Sequence, residues 1–359
     1  MSQSQLKSKV YEQELESENL YFKWFRLMSV RKYITEFGLR MNTSRMWLLH
    51  QDQLENLKNS DEFKIDPPHI YVVVRQPKVS IDTVFYINDE ILRISFNIQQ
   101  QDTLRTESFR VPISPEVPKL ELDCPYPYTE YILKDSQGNK HMGGKAAILL
   151  LQQINSFQGL DLPSQEIDKL DNLQKSLSFE VLYVGQSYGT EGSSTSVDRL
   201  INHKTLQKIY FDSSKNFPGK DIWLILCSFE KSIITTTDPK QDEYGVSEAE
   251  NNKHLFQAAN TEVTEKQSIN FTEASLIRYF QPEYNKIYKD SFPSTSHTAY
   301  SECYELDVNS VAIHLSTQEF FMLHSSQVPP NCDHSAYFNL HSHNERKSMF
   351  ELAGLTINE

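Results

Sequence analysis

Four cysteines in 359 residues, Cys124, Cys227, Cys303 and Cys332, lie far apart and form no CxxC pair. That spacing argues against a zinc ribbon and fits reduced thiols, so a cytoplasmic protein is expected. Long apolar runs are also missing. The longest, Ala146 to Leu151 and Ile222 to Cys227, fall well short of the ~20 residues a membrane span needs. The opening MSQSQLKSKVYEQELESENL is polar and charged, so no secretory signal and no membrane partner are expected. Cations are outnumbered: 35 Lys and Arg face 48 Asp and Glu, for a net charge of −13. Such a balance argues against broad, non-specific coating of nucleic acid, where phosphate neutralisation supplies most of the affinity. A local basic groove stays possible, because only the field at the site steers a ligand. Hydrophobic residues make up only 38%, yet 18 Tyr and 20 Phe can fill sizeable cores. No internal repeat is visible.

What is present reads as an α+β chain long enough for two ordinary domains. Residues 1–62 look helical, with Leu48, Leu49, Leu54 and Leu57 at mixed helical spacings. Pro67-Pro68 ends that run. His69 to Arg75 is a β-branched strand, and Val84–Ile87 with Ile91–Ile98 reads as a hairpin. Glu107 to Ile113 adds a strand, and prolines between Pro112 and Pro127 mark a boundary. Tyr128 to Leu133 reads as a strand and Lys145 to Ser156 as a helix. Strand 179–184, helix 196–209, strand 221–229, an acidic loop at 235–252, a short helix at 254–260 and helix 272–280 follow. Thr272 is the candidate N-cap of that last helix. Strands at 311–315 and 319–323 precede a His-rich tail.

The chemistry concentrates in the 179–288 stretch. Gly185, at a strand end, permits an unusual dihedral or a close approach. Beside it Tyr183 is either a core aromatic or a phenol at a site. Arg199 and His203, four residues apart in the helical stretch 196–209, share one face. They suit either a solvated surface or a phosphate, which the guanidinium grips with paired donors while the imidazole moves or orients a proton. Glu273 either complements a helix dipole or holds Mg²⁺ with several waters remaining. Asn285 could orient a ligand or cap a turn. Lys204, Lys208, Lys215 and Lys220 form a basic stretch that suits nucleic-acid binding, with Tyr210 and Phe211 as stacking or core residues.

The segments VLYVGQS, RLINH and EASLIRYFQPEYN resemble the GIY-YIG nuclease superfamily, especially its restriction-enzyme-like branch. The resemblance covers residues 179–288, about a third of the chain. It implies a small antiparallel three-stranded sheet with flanking helices. It also implies roles: Tyr183 beside the scissile phosphate, Arg199 holding that phosphate, His203 assisting the base, Glu273 as sole protein ligand of one Mg²⁺ (or Mn²⁺), and Asn285 supporting the geometry. The implied reaction is attack of water on a DNA phosphodiester, RNA remaining open, in restriction or anti-phage defence. One element is missing. Residues 165–178 contain no tyrosine, so the first half-motif is not at the usual short distance. Tyr131 is the expected substitute across an insertion near 137–178, with Tyr128 behind it. Without such a phenol, a catalytically inactive nucleic-acid-binding or assembly module is the alternative.

The expected organisation is therefore an N-terminal helical and β-rich region (1–127), a nuclease-like domain (128–290) and a C-terminal extension (291–359). The N-terminal region would recognise substrate, mimic DNA in the groove, or mediate a homodimer or a protein partnership. Glu248 and Glu250, on the acidic loop, could replace Glu273 as metal ligand, and that loop could gate the site. Asp333, His334, His341 and His343 are metal-ligand types without a second firm cluster. Gly143-Gly144-Lys145 lacks the Walker spacing and reads as a turn before a helix.

Overall fold

The computed structural model describes residues 32–113, 121–135, 137–187, 196–201, 203–237, 246–260, 263–293, 307–341, 346 and 348–352. In chain order the strands are β1 (Thr35–Leu49), β2 (Ile70–Pro77), β3 (Val79–Asn88), β4 (Ile91–Gln100), β5 (Thr103–Pro112), β6 (Glu121–Asp123), β7 (Glu130–Lys134), β8 (Lys140–Lys145), β9 (Phe179–Gln186), β10 (Lys220–Thr237), β11 (Ser310–Ser316), β12 (Leu323–His324) and β13 (Asp333–Asn339). The helices are α1 (Leu54–Lys58), α2 (Asp61–Ile65), α3 (Ala146–Asn155), α4 (Ser164–Ser176), α5 (Ser196–Ile201), α6 (Lys204–Asn216), α7 (Glu248–Asn260), α8 (Glu265–Phe280) and α9 (Met349–Leu352). The protein is α+β, as its sequence suggests. A seven-stranded sheet in the order β12-β9-β2-β10-β1-β11-β13 carries two three-stranded antiparallel sheets beside it, β3-β4-β5 and β6-β7-β8. Among the described residues, no helix is long and apolar enough to cross a membrane.

The middle of the large sheet is its most hydrophobic part. Every residue of β2 from Ile70 to Gln76 is buried, as is β10 from Ile222 to Ser228. Such unbroken burial needs cover on both faces, which explains why these strands read as runs rather than alternations. On one face Tyr71, Val73, Leu182, Leu224 and Leu226 pack under α1, α2, α5 and α6. On the other, Ile70, Val72, Val74, Val181, Val184 and Trp223 join the main core with α3, α4 and α8. β2 pairs antiparallel with both β9 and β10, so an antiparallel trio sits at the centre of a wider sheet.

Several expectations fail for physical reasons. The boundaries at 127/128 and 290/291 both run through the seven-stranded sheet, which takes strands from all three segments. Residues 35–49 are a strand, not a helix. Their leucines pair in register with β10, and tertiary pairing outweighs the mixed helical spacing. Among the described residues of that region, helical structure is a 3-10 turn at Gln51–Gln53 followed by short helices at 54–58 and 61–65, and residues 1–31 lie outside the described residues. The last helix begins at Glu265, not Thr272. Thr264 is its N-cap, closing a capping box with Gln267, while the Thr272 hydroxyl bonds back to the Ser268 carbonyl inside the helix. The acidic stretch holds the end of β10 and the start of α7, with 238–245 outside the described residues. Of 319–323, only Leu323 is in a strand.

A candidate active site at the rim of the central sheet

β9 carries one extra residue against β2: Val73 pairs with Tyr183 and Val74 with Val181. This bulge turns Leu182 and Tyr183 toward the same face, so the Tyr183 phenol joins Tyr71 under α5 and α6. The rings lie 6.1 Å apart. Gly185, opposite Tyr71 in the ladder, is what lets the phenol lie flat across β9. A Cβ there would fall 2.5 Å from the Tyr71 Cζ and hydroxyl oxygen. Of the two roles expected for Gly185, the close approach is the one realised.

The helix expected at 196–209 is broken. α5 ends at Ile201, and His203 becomes the N-cap of α6, its Nδ1 accepting the Leu206 N–H at 3.2 Å. Arg199 and His203 are therefore not one turn apart on a single helix. Capping fixes the imidazole chemically as well. With Nδ1 an acceptor, the ring proton sits on Nε2, which donates to the Tyr71 hydroxyl at 3.2 Å. Burial, then the nearby Arg199 charge, hold His203 below its ordinary range, so it is neutral at pH 7. Arg199 is exposed. Its charge acts on Tyr71, Tyr183, His203 and Glu273.

Glu273 comes from α8, on the opposite side of the sheet, and its charge acts on both phenols. It sits mid-helix, so helix-dipole stabilisation does not account for it. Gln186, the last residue of β9, donates from Nε2 to Glu273 Oε2 at 2.8 Å and to Asn270 Oδ1 at 2.7 Å. Burial pushes the Glu273 carboxyl up to about 7 against those hydrogen bonds and Arg199. Among the described residues no Lys, Arg or His forms an ion pair with it. Tyr71 is fully buried, and burial together with the charges at Tyr183 and Glu273 raises it far above an ordinary phenol, Arg199 pulling the other way. Tyr183 is raised by burial and by Glu273.

Asn285 does structural work. Its Oδ1 accepts the Val184 N–H at 2.9 Å and its Nδ2 donates to the Val184 carbonyl at 2.8 Å. Both groups lie on the edge of β9 turned away from β2, where β12 pairs only with Phe179 and Glu180. The side chain thus replaces a missing strand and pins the residue between Tyr183 and Gly185. Gln281, left-handed at φ 51°, and Pro282 stop α8 and bring Asn285 there.

The structure brings together Tyr183, Arg199, His203, Glu273 and Asn285, and leaves Tyr131 out. Tyr131 lies on β7 in a separate small sheet, packed against Gly144. The phenol that lies beside Tyr183 is instead Tyr71, in His69-Ile70-Tyr71, on the strand paired with β9. Residues 78–178 separate the strands that carry Tyr71 and Tyr183. Gln186, Asn270 and His69 were also missed. His69 closes the last rung, its Nδ1 donating to the Ser187 carbonyl at 2.6 Å while the Ser187 N–H donates back at 2.8 Å. The legible signal was an apolar-tyrosine strand of matching length, Ile70-Tyr71-Val72, upstream of Tyr183-Val184-Gly185.

The four lysines do not form one patch. Lys204, Lys208 and Lys215 are exposed along α6, which begins at His203. Lys220 lies at the far end of β10, six residues from Leu226, the partner of Tyr71, and contacts Glu180 at 3.8 Å. Glu250 is held by the Ser247 N–H and hydroxyl at the start of α7. That helix follows Thr237, eleven strand residues beyond Leu226, so Glu248 and Glu250 do not approach Glu273. His334 bonds Tyr279 and the Asn331 carbonyl, His341 bonds the Val308 carbonyl, and His343 lies outside the described residues. Among the described residues no group of three or more His, Cys, Asp or Glu is placed to hold a metal. Lys145 of the Gly-Gly-Lys run is neutralised by Glu130 and Asp52. No protein-family model, curated protein or solved structure matches the chain.

Proposed function

We propose that the protein is a metal-dependent endonuclease of the GIY-YIG type that hydrolyses DNA phosphodiesters. The observation that carries this is the pairing of Tyr71 and Tyr183 on adjacent antiparallel strands, with His203 on the Tyr71 hydroxyl and the Arg199 and Glu273 charges acting on both phenols. Tyr71 is the proton acceptor for the attacking water. The His203 Nε2–H and the Arg199 charge favour its phenolate, and neutralising Glu273 would favour it further. Arg199, exposed and cationic, grips the scissile phosphate and offsets charge growing on it. Asn285 and Gly185 hold the two tyrosine strands in place. Restriction or defence against invading DNA in the cytoplasm is the setting the family suggests. The binding-module alternative rests on the absence of a tyrosine near Tyr183 in sequence and on the net charge of −13; the position of Tyr71 beside Tyr183 supports the nuclease reading on the first point.

Glu273 suits a single divalent cation. It is a recessed carboxylate that forms no ion pair among the described residues, and one carboxylate is what Mg²⁺, which keeps most of its waters, requires. Bound there, the cation would supply positive charge to the phosphate oxygens. A test follows that needs no knowledge of the recognition site. The folded carboxyl titrates near 7 against an ordinary value of 4.5. Stability from its neutral form is complete below pH 4.5, falls as pH rises to about 7, and stays lost above. At pH 8 without metal, Glu273→Gln should therefore be the more stable protein, by about 3 kcal/mol, and this gap should close near pH 4.5. Mg²⁺ should raise the melting temperature of the wild type but not of the variant, and DNA cleavage should vanish in the variant. Cleavage that survives Glu273→Gln would remove the metal assignment. Failure of the wild type to cut any DNA, with binding retained, would return the module reading.

A further inference from the structure

α6 leaves the site as a track. Lys204, Lys208, Phe211 and Lys215 follow one another at spacings of four, three and four residues, so they form a single stripe. All four are exposed, Phe211 at 66%. The buried face of the helix is the other one, Leu206, Ile209 and Ser213 against the sheet. Among the described residues none of the three lysines is ion-paired, and Lys208 Nζ rests 5.6 Å from the Tyr284 ring centroid. Tyr284 is in turn held by Asp212, the one carboxylate on α6, at 3.0 Å. Tyr210 packs toward the sheet, whereas Phe211 touches no apolar core.

Resting on the nuclease reading above, we infer that this stripe reads an unpaired base. The lysines follow the phosphates of one strand away from Arg199, and Phe211 stacks on a base face that a duplex would keep closed. At 1.5 Å per residue, Phe211 lies about 12 Å along the axis from His203, roughly three nucleotides at the stacked spacing of about 3.4 Å. Wedging a phenyl between paired bases is the competing use of such a residue. It requires unstacking that is repaid by wrapping much protein surface, and three free lysines on a chain of net charge −13 supply little of that. A base that is already unpaired needs no such repayment, and aromatic stacking accepts any base. The substrate class is therefore DNA with a bulge, flap or duplex–single-strand junction a few nucleotides from the cut.

Fluorescence anisotropy with the full chain in EDTA, where nothing is cut, tests this. The probes are one labelled hairpin with an unpaired base and the same hairpin fully paired. The wild type should prefer the unpaired probe by about tenfold. Phe211→Ala should lose that preference with paired binding unchanged, and Phe211→Tyr should keep it. Equal binding of both probes, or a preference that survives Phe211→Ala, overturns the inference and leaves the nuclease reading standing. Tighter binding of the paired probe that Phe211→Ala abolishes marks a wedge and also overturns it. Absence of binding to either probe removes the nuclease reading itself. A wild-type dimer that Phe211→Ala splits would assign the phenyl to a protein interface instead.

Discussion

Tyr71→Phe should lower DNA cleavage by about 10²–10⁴-fold, the usual contribution of a positioned general base, while Tyr131→Phe leaves the rate unchanged. The two substitutions remove the same atom from two buried phenols, so they separate the site from the core. Losing the Tyr71 hydroxyl also strands the His203 Nε2–H that now meets it at 3.2 Å. That costs about 1–3 kcal/mol of folding stability, which a melting curve resolves. It cannot imitate the catalytic effect: a drop of 10²–10⁴ corresponds to about 3–5 kcal/mol in the barrier, measured at a temperature where the variant is fully folded. Single-turnover cleavage at saturating DNA reads the barrier without binding. A Tyr71→Phe enzyme that cuts at the wild-type rate would end the assignment, and a dead Tyr131→Phe would restore the earlier candidate.

Gly185→Ala is the second large effect. The added methyl would lie 2.5 Å from two Tyr71 atoms and 2.7 Å from a third. The tyrosine cannot swing away, because it is 1% exposed and tied to His203. Overpacking of this kind costs about 1–3 kcal/mol. The functional loss is the greater one, since displacing a reacting group by about 1 Å costs on the order of 10² in rate. Thermal unfolding and single-turnover cleavage measure the two together. Unchanged values for both would mean that the close approach of β2 and β9 at this rung carries no constraint.

Much of the fold was open to inspection because its elements obey local rules. The β3–β4 hairpin announces itself through alternation around Asn88-Asp89-Glu90, and α3 through its apolar periodicity. What failed were judgements about distance and environment. β1 reads as helical because Leu48 and Leu49 join Leu54 and Leu57 at mixed helical spacings, but pairing with both β10 and β11 decides its state. The break before α6 depends on His203 acting as an N-cap, a role that residue type does not announce. Tyr183, Arg199, His203, Glu273 and Asn285 were legible as residues. Their first partner was not, because it was sought near Tyr183 in sequence. Tyr71 sits before an inserted pair of small sheets, and only the ladder between β2 and β9 brings it back.

That ladder has a consequence for how the protein comes into being. The rung between Tyr71 and Gly185 joins positions more than a hundred residues apart. Its loop-closure entropy must be met before the contact gives anything back, and such non-local pairings form late. The asymmetry of timing follows from the sequence order. Arg199, His203 and Gly185 lie within twenty residues of one another, whereas the phenol that would accept the proton waits for the whole 78–178 lobe to close. A chain caught partway through folding holds half of the candidate site. The proposed activity would therefore require the finished topology, and its appearance during refolding would report the closure of the lobe.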